Sequence, residues 1–210
     1  MTIHNVQQGD AEWFELKWAK IGGTRSKGLF STTDTLFNEL LGEYTEPYEA
    51  VEEWETDATA RGKALEPEAR MKAEEYLGIK FEQLGWIHDE SLPLLGISPD
   101  GLTADNKIGL EIKCFGRTKH VKIANNETIP SDNIHQCVHY FTVCEELEEL
   151  YFVAYRPEAL KKLVVIKLTR ESIVKVGQSK KAINEWVEIA RAKAEEINKA
   201  LNKAVEKMSF

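Results

Sequence analysis

Hydrophobic and polar positions follow two periods along this 210-residue chain, and the switches between them mark its elements. Residues 10–20 predict a helix, with Trp13, Phe14, Leu16 and Trp18 supplying apolar surface. A glycine-rich turn follows, Ile21-Gly22-Gly23-Thr24-Arg25-Ser26, and Thr33 to Leu41 predicts a short helix. From about Tyr48 to Leu77 the pattern is again helical. Ala60, Ala64, Ala69, Ala73 and Leu77 recur at helical spacing, and Gly78 is a C-terminal stop. Pro67 lies inside that stretch and predicts a kink or restart, because proline has no N–H to give the helix.

After Gly78 the period shortens to two. Ile79–Asp89, Leu94–Ser98, Ile108–Cys114, Leu150–Tyr155 and Leu163–Leu168 read as strands, with Thr103-Ala104-Asp105-Asn106-Lys107 as a polar turn. Asp132 to Val143 returns to helical spacing, with Ile134, Val138 and Phe141 on one face. The end of the chain is the clearest helix: Ile183, Trp186, Val187, Ala190, Ala194, Ile197 and Leu201 step by threes and fours. Helices around a run of strands predict an α/β or α+β sandwich. With no repeat or linker, residues 1–210 read as one domain, and residues 171–210 as its C-terminal helical extension.

Composition adds exclusions. Apolar residues are 42% and charged residues 30%, the balance of a packed soluble domain rather than a disordered chain or a collagen-like fibre. No apolar run approaches the roughly 20 residues that span a bilayer, and MTIHNVQQGDAEW lacks the layout of a secretory signal. Cys114, Cys137 and Cys144 have no CxxC spacing, so reduced thiols in a cytoplasm are expected. They also fall short of the four thiolates an iron–sulfur cluster uses.

The net charge of −8 argues against a simple nucleic-acid binder, but the charge is segregated. Lys17, Lys20, Arg25 and Lys27 form one run without acids; Lys113, Arg117, Lys119 and Lys122 form another. Glu39 to Asp57 holds acids and no bases. Such a chain can present one basic surface to a polyanion while its acids lie elsewhere.

The chemistry concentrates in Ser98-Pro99-Asp100-Gly101 and Glu111-Ile112-Lys113. The gap between them suits a hairpin that brings Asp100 and Glu111 together. Glu111 and Lys113, two apart on a strand, share a face, while Leu110 and Ile112 point into apolar surroundings. Two carboxylates this close repel, and a hard divalent cation removes the conflict. Oxygen ligands select Mg²⁺ or Mn²⁺, and a water activated beside a lysine suits in-line attack on phosphorus. Glu66, on the preceding helix, is a third carboxylate. Each piece alone has a plainer reading: a turn aspartate, a half-exposed strand, a solvated helix acid. His135 and His139, four apart on a helix, could bind zinc with a third ligand, but no HExxH motif is present and His135 lies next to Gln136. Trp13, Trp18 and Trp54 are core or interface residues, or bases stack on them.

Five pieces in order resemble one family: QQGDAEW…IGGTRS (residues 7–26), GKALEPEAR (62–70), LLGISPDG (94–101), GLEIKC (109–114) and IHQCVHY (134–140). The sequence is similar to the viral recombinase nucleases of the phage lambda exonuclease type, a branch of the PD-(D/E)xK superfamily. That resemblance implies a restriction-endonuclease-like α/β fold, a central mixed β-sheet flanked by helices, with the long helix at the C-terminus. It implies that Asp100, Glu111 and the main-chain carbonyl of Ile112 bind Mg²⁺, which Mn²⁺ can replace, with Glu66 completing the set. Lys113 would orient the attacking water. Gln136 and Tyr140, which match a QxxxY element, would steady the site and contact DNA. Ser26 and Ser98 would lie near a terminal 5′ phosphate. The family commonly has an arginine seven residues before the serine at position 26, where this chain has Ala19. Lys17, Lys20 or Arg25 would substitute, with Arg25 the first choice, and Arg117 or Lys119 would serve beside the divergent Phe115.

The resemblance further implies processive 5′-to-3′ digestion of double-stranded DNA ends to mononucleotides, leaving a 3′ tail for recombination. It implies a homotrimeric ring with basic runs lining the channel, and a single-strand annealing protein as partner in the cytoplasm of a bacterial host. A selective endonuclease on the same fold and a non-catalytic DNA-end-binding module are the rival readings.

Overall fold

The computed structural model describes residues 1–50 and 56–208. In chain order the elements are β1 (Thr2–His4), α1 (Ala11–Lys17), a 3-10 turn (Arg25–Phe30), α2 (Thr35–Thr45) and α3 (Asp57–Leu77). Then come β2 (Trp86–His88), β3 (Gly96–Ile97), β4 (Gly101–Leu102), β5 (Ile108–Lys113), α4 (Arg117–Asn126) and α5 (Ser131–Val143). The chain closes with β6 (Glu149–Tyr155), β7 (Leu163–Thr169), β8 (Ile173–Val176), β9 (Ser179–Ala182) and α6 (Ile183–Met208).

The main sheet has the order β4-β5-β6-β7, with β5 and β6 parallel and the outer pairs antiparallel. A smaller antiparallel sheet has the order β1-β2-β3, and β8 pairs with β9 in a separate hairpin. Alternation along the strands gives the main sheet two buried faces. Leu110, Ile112, Val153 and Tyr155 pack against Ala69 and Ala73 of α3. Leu150, Phe152 and Ala154 point the other way, into the larger core with Val138 and Phe141 of α5 and Trp186, Ala190 and Leu201 of α6. The predicted mixed sheet between helices, with a long C-terminal helix, is therefore the architecture of the molecule. No described helix is long and apolar enough to cross a membrane.

Several expectations need correction. The helix predicted from Tyr48 begins at Asp57, where the Thr56 hydroxyl accepts the Thr59 N–H as an N-cap; residues 51–55 lie outside the described residues. It then runs through Pro67 without interruption and ends at Gly78, in the left-handed region at φ 69°. The strand expected over Ile79–Asp89 divides between sheets. Glu82 pairs with Leu102 at the end of β4, and Trp86–His88 joins the small sheet. Gly85 allows the crossing, since a Cβ there would collide with the Val6 carbonyl. The extension of residues 171–210 opens with the β8–β9 hairpin before the helix. Its period-two alternation, Val174 and Val176 buried, and the turn glycine Gly177 were present in the sequence. Helix α4 carries only His120 and Ile123 as buried residues, too thin a stripe to read.

His139 joins the layers. Its Nε2 donates to the carbonyls of Ile21 (3.0 Å) and Gly96 (2.9 Å), tying α5 to the glycine-rich turn and to β3. Burial lowers the imidazole pKa to about 4, whereas an unfolded histidine titrates near ~6.5. Between those values the unfolded chain binds more protons, so folding stability falls as pH drops from ~6.5 toward 4. This residue alone should remove about 3 kcal/mol over that window. Urea unfolding midpoints measured from pH 7.5 to 4.5 check the trend, and a His139 imidazole resonance titrating near ~6.5 in the folded protein would contradict it.

Candidate active site

Three residues, Ser98-Pro99-Asp100, link β3 of the small sheet to β4 of the main one. Gly101 pairs with Leu110 and Leu102 with Gly109, so continuing the register by one sets Asp100 opposite Glu111. The Asp100 Oδ2 accepts the Ile112 N–H at 2.6 Å, which takes the backbone position a longer β4 would occupy. In an extended strand the N–H and C=O of one residue point the same way, so the Ile112 carbonyl faces this edge too. Tyr140 of α5 clamps the hairpin: its hydroxyl donates to the Leu110 carbonyl (3.0 Å) and accepts the Asp100 N–H (3.2 Å).

Glu111 is fully buried on the α5 face of β5. Its countercharge is the Lys113 ammonium, 2.5 Å from Oε1 and partly open to solvent. Burial opposes the Lys113 charge, but Glu111 and Asp100 outweigh it and hold the ammonium above its usual pKa. Burial and the Glu111 carboxylate push Asp100 well above the usual carboxylate range. Burial likewise raises the Tyr140 phenol, with both carboxylates adding to it.

Glu66 stands on the α3 side of the same strand end, in a hollow with Ile112, Lys113 and Cys114. Its Oε1 accepts from Arg70 (2.8 Å) and Gln83 (3.1 Å), and burial outweighs Arg70 to raise its pKa. It feels the charges of Lys113 and Glu111 at the strand end. Among the described residues no three His, Cys, Asp or Glu side chains are grouped to hold a metal. What fits a hard cation is the smaller set. Two facing carboxylates, one of them fully buried, and a backbone carbonyl match an ion that keeps several waters and binds substrate phosphate.

A second feature adjoins this edge. A cleft of about 280 Å³ is lined by Gln8, Trp13, Lys17, Lys20, Gly22, Gly23, Thr24, Arg25, Ser98 and Gln136, among others. The Ser98 hydroxyl accepts the Trp13 indole N–H at 2.7 Å, which leaves its own proton to donate into the cleft. The Lys17 ammonium sits 3.4 Å above the Trp13 ring. Lys20 is half-buried, and burial lowers its pKa.

This arrangement revises the predicted phosphate ligands. Ser26 is fully buried and donates to the Gly23 carbonyl at 2.6 Å, so the hydroxyl on the cleft is Thr24. Seven residues before Thr24 is Lys17, also on the cleft. The expected spacing is therefore present two residues earlier, which the hydroxyl at position 24 could have signalled. Arg25 lines the cleft, but its guanidinium is bonded to Glu43 (2.8 Å) and Glu39 (3.4 Å). Those acids turn toward the first basic run, against the expectation that they face away. Arg117 and Lys119 lie on α4, away from this cleft; Lys119 pairs with Asp132 at 2.7 Å. Tyr140 is fully buried and offers DNA no surface, whereas Gln136, one turn earlier, packs on Gly23 in the cleft. His135 lies against Phe30 and His139 is bonded to carbonyls, so they form no zinc pair. Trp18 donates to the Glu43 carbonyl, and Trp54 lies outside the described residues.

A family model described as a YqaJ-like viral recombinase domain matches residues 12–146. Among solved structures, an alkaline exonuclease from Laribacter hongkongensis superposes with a TM-score of 0.78 at 18% identity, over 95% of this chain and 96% of that one. The same protein in complex with dAMP gives 0.75 at 20% identity, over 95% and 98%. A phage-related exonuclease from Haemophilus somnus 129PT gives 0.58 at 13% identity, over 90% and 96%. These likenesses show a shared fold. No curated protein compared with the chain matches it.

Replacing Tyr140 by phenylalanine removes both hydrogen bonds of the clamp and strands the buried Leu110 carbonyl. The variant should lose about 1–3 kcal/mol of stability, read from urea unfolding. Amide exchange at Asp100 should quicken more than exchange in β7.

Proposed function

The chain belongs to the YqaJ-like viral recombinase domain family, and we propose that it is a metal-dependent deoxyribonuclease that digests duplex DNA from a 5′ end, releasing mononucleotides and leaving a 3′ tail. The observation that carries this reading is the fully buried carboxylate of Glu111, set opposite Asp100 with Lys113 as its charged partner. Such a pair is costly in a structural role and suited to holding a cation against a phosphodiester. The fold shared with two exonucleases, one bound to a deoxynucleoside monophosphate, supports it.

Asp100, Glu111 and the Ile112 carbonyl would hold Mg²⁺, or Mn²⁺, and the ion when bound supplies positive charge at the scissile phosphate and a water activated at neutral pH. The protein's own groups do the positioning. Lys113, held charged between two carboxylates, donates hydrogen bonds to the attacking water and to the phosphoryl oxygens as their charge grows. Glu66, held by Arg70 and Gln83, adds negative potential at the strand end and keeps Lys113 directed there. Tyr140 acts through the hairpin it clamps.

The adjoining cleft suits the terminal 5′ phosphate. Thr24 and Ser98 donate hydroxyls, Lys17 and Lys20 supply charge, and Gln136 borders the strand. Lys20 replaces Arg25 as the principal charged ligand because Arg25 is already paired. Ring-shaped homotrimers, a single-strand annealing protein as partner, and action in the cytoplasm of a bacterial host complete the proposal.

Linear duplex labelled separately at each terminus, digested with and without magnesium, tests it. Asp100→Asn should lose on the order of 10²–10³-fold or more of the rate. Lys113→Ala should lose as much while still binding DNA; equal loss of binding would refute the role given to the lysine. Nicking of closed circles would mark an endonuclease instead. Separately, Lys20→Ala should raise KM roughly tenfold on 5′-phosphorylated ends and far less on 5′-hydroxyl ends.

A further inference from the structure

We infer that Glu43, a residue of α2 outside the cleft, is the positioning residue that sets the charge and shape of the phosphate cleft. Its carboxylate holds Ala19 in a left-handed turn and so aims Lys20 inward. The inference deepens the reading of the cleft as a 5′-phosphate site and rests on it.

Ala19 has φ 54°. Alanine has no polar side chain to compensate that conformation, which costs on the order of 1–2 kcal/mol and persists only where the surroundings enforce it. The Lys20 N–H closes the turn on the Lys17 carbonyl at 3.2 Å, and Glu43 holds it from outside. Its Oε2 accepts the Ala19 N–H at 3.0 Å, and its main-chain carbonyl accepts the indole N–H of the preceding residue, Trp18, at 2.8 Å. The same Oε2 accepts Arg25 Nη1 at 2.8 Å, and that nitrogen reaches back to the Lys20 carbonyl at 3.3 Å. One carboxylate therefore binds the backbone before Lys20 directly and the backbone of Lys20 through Arg25. Beyond the turn, the Ile21 N–H is anchored on the Leu94 carbonyl at 2.8 Å.

The consequence is electrostatic as well as geometric. Arg25 is neutralised where it lines the cleft, whereas the Lys20 ammonium makes no salt bridge among the described residues. The half-buried lysine is thus a cation in want of an anion, on a turn that a residue of another helix holds in place.

The test uses two readouts on the full chain. Titration with inorganic phosphate, followed by isothermal calorimetry, reads phosphate binding apart from catalysis. Digestion of 5′-phosphorylated and 5′-hydroxyl duplexes reports KM and kcat. Glu43→Ala should weaken phosphate binding about tenfold and raise KM on 5′-phosphorylated ends by a similar factor, with kcat within about twofold. Glu43→Gln should recover most of the loss, because its amide oxygen still accepts from Ala19 and Arg25. Ala19→Gly added to Glu43→Ala should restore much of the binding, since glycine enters the left-handed region without strain. Phosphate binding unchanged in Glu43→Ala overturns the inference, as does a loss that neither the glutamine substitution nor the added glycine relieves. A parent chain without a phosphate-dependent signal overturns it too. A parent that binds phosphate yet digests no DNA overturns the nuclease reading instead and leaves the role of Glu43 standing.

Discussion

A fully buried carboxylate is among the least favourable groups a protein can keep, costing several kcal/mol unless a charge lies beside it. Glu111 is such a group, and the architecture around it is arranged to tolerate it. Lys113, two residues along the strand, answers its charge from the solvent side. Asp100 meets it across the hairpin and takes the Ile112 N–H that a missing β4 residue leaves open. Energy that packing elsewhere supplies is stored here as an electrostatic demand, and a cation at a phosphate would meet it.

Helix α5 coordinates this centre with the neighbouring cleft. Three of its residues, within about one turn, reach different parts of the molecule. Gln136 packs on Gly23 at the cleft, His139 bonds the glycine-rich turn and β3, and Tyr140 closes the Asp100 hairpin. That explains why so much of the helix is buried, including polar side chains that a surface helix would show to water. The helix supplies the frame through which the small sheet, the main sheet and the first basic run hold one geometry.

The hairpin, its turn and the facing Asp100 and Glu111 were legible in the sequence because local rules decide them: strand alternation, a polar turn and a fixed gap. The long helices at Ile183 and Ser131 were legible for the same reason, through their apolar stripes. What escaped depended on tertiary partners. Whether Ser26 or Thr24 faces the cleft is settled by the 3-10 turn, which buries Ser26. The commitment of Arg25 to Glu43 joins residues of two elements that no spacing rule connects. Helix α4 is held by contacts of His120 and Ile123 with the rest of the fold, not by a stripe of its own. Pro67 failed to break its helix because packing of Ala69 and Ala73 against β5 and β6 outweighs one lost backbone bond.

The link Ser98-Pro99-Asp100 carries one more implication. The hydroxyl that faces the cleft and the carboxylate that faces Glu111 hang from α-carbons two residues apart, which covalent geometry keeps within about 7 Å of each other. Proline between them removes one backbone rotation. Thermal drift of either sheet then moves both groups as a tethered pair, so the stride from the gripped end of a strand to the bond being cut is written into bond lengths rather than into the looser tolerances of packing.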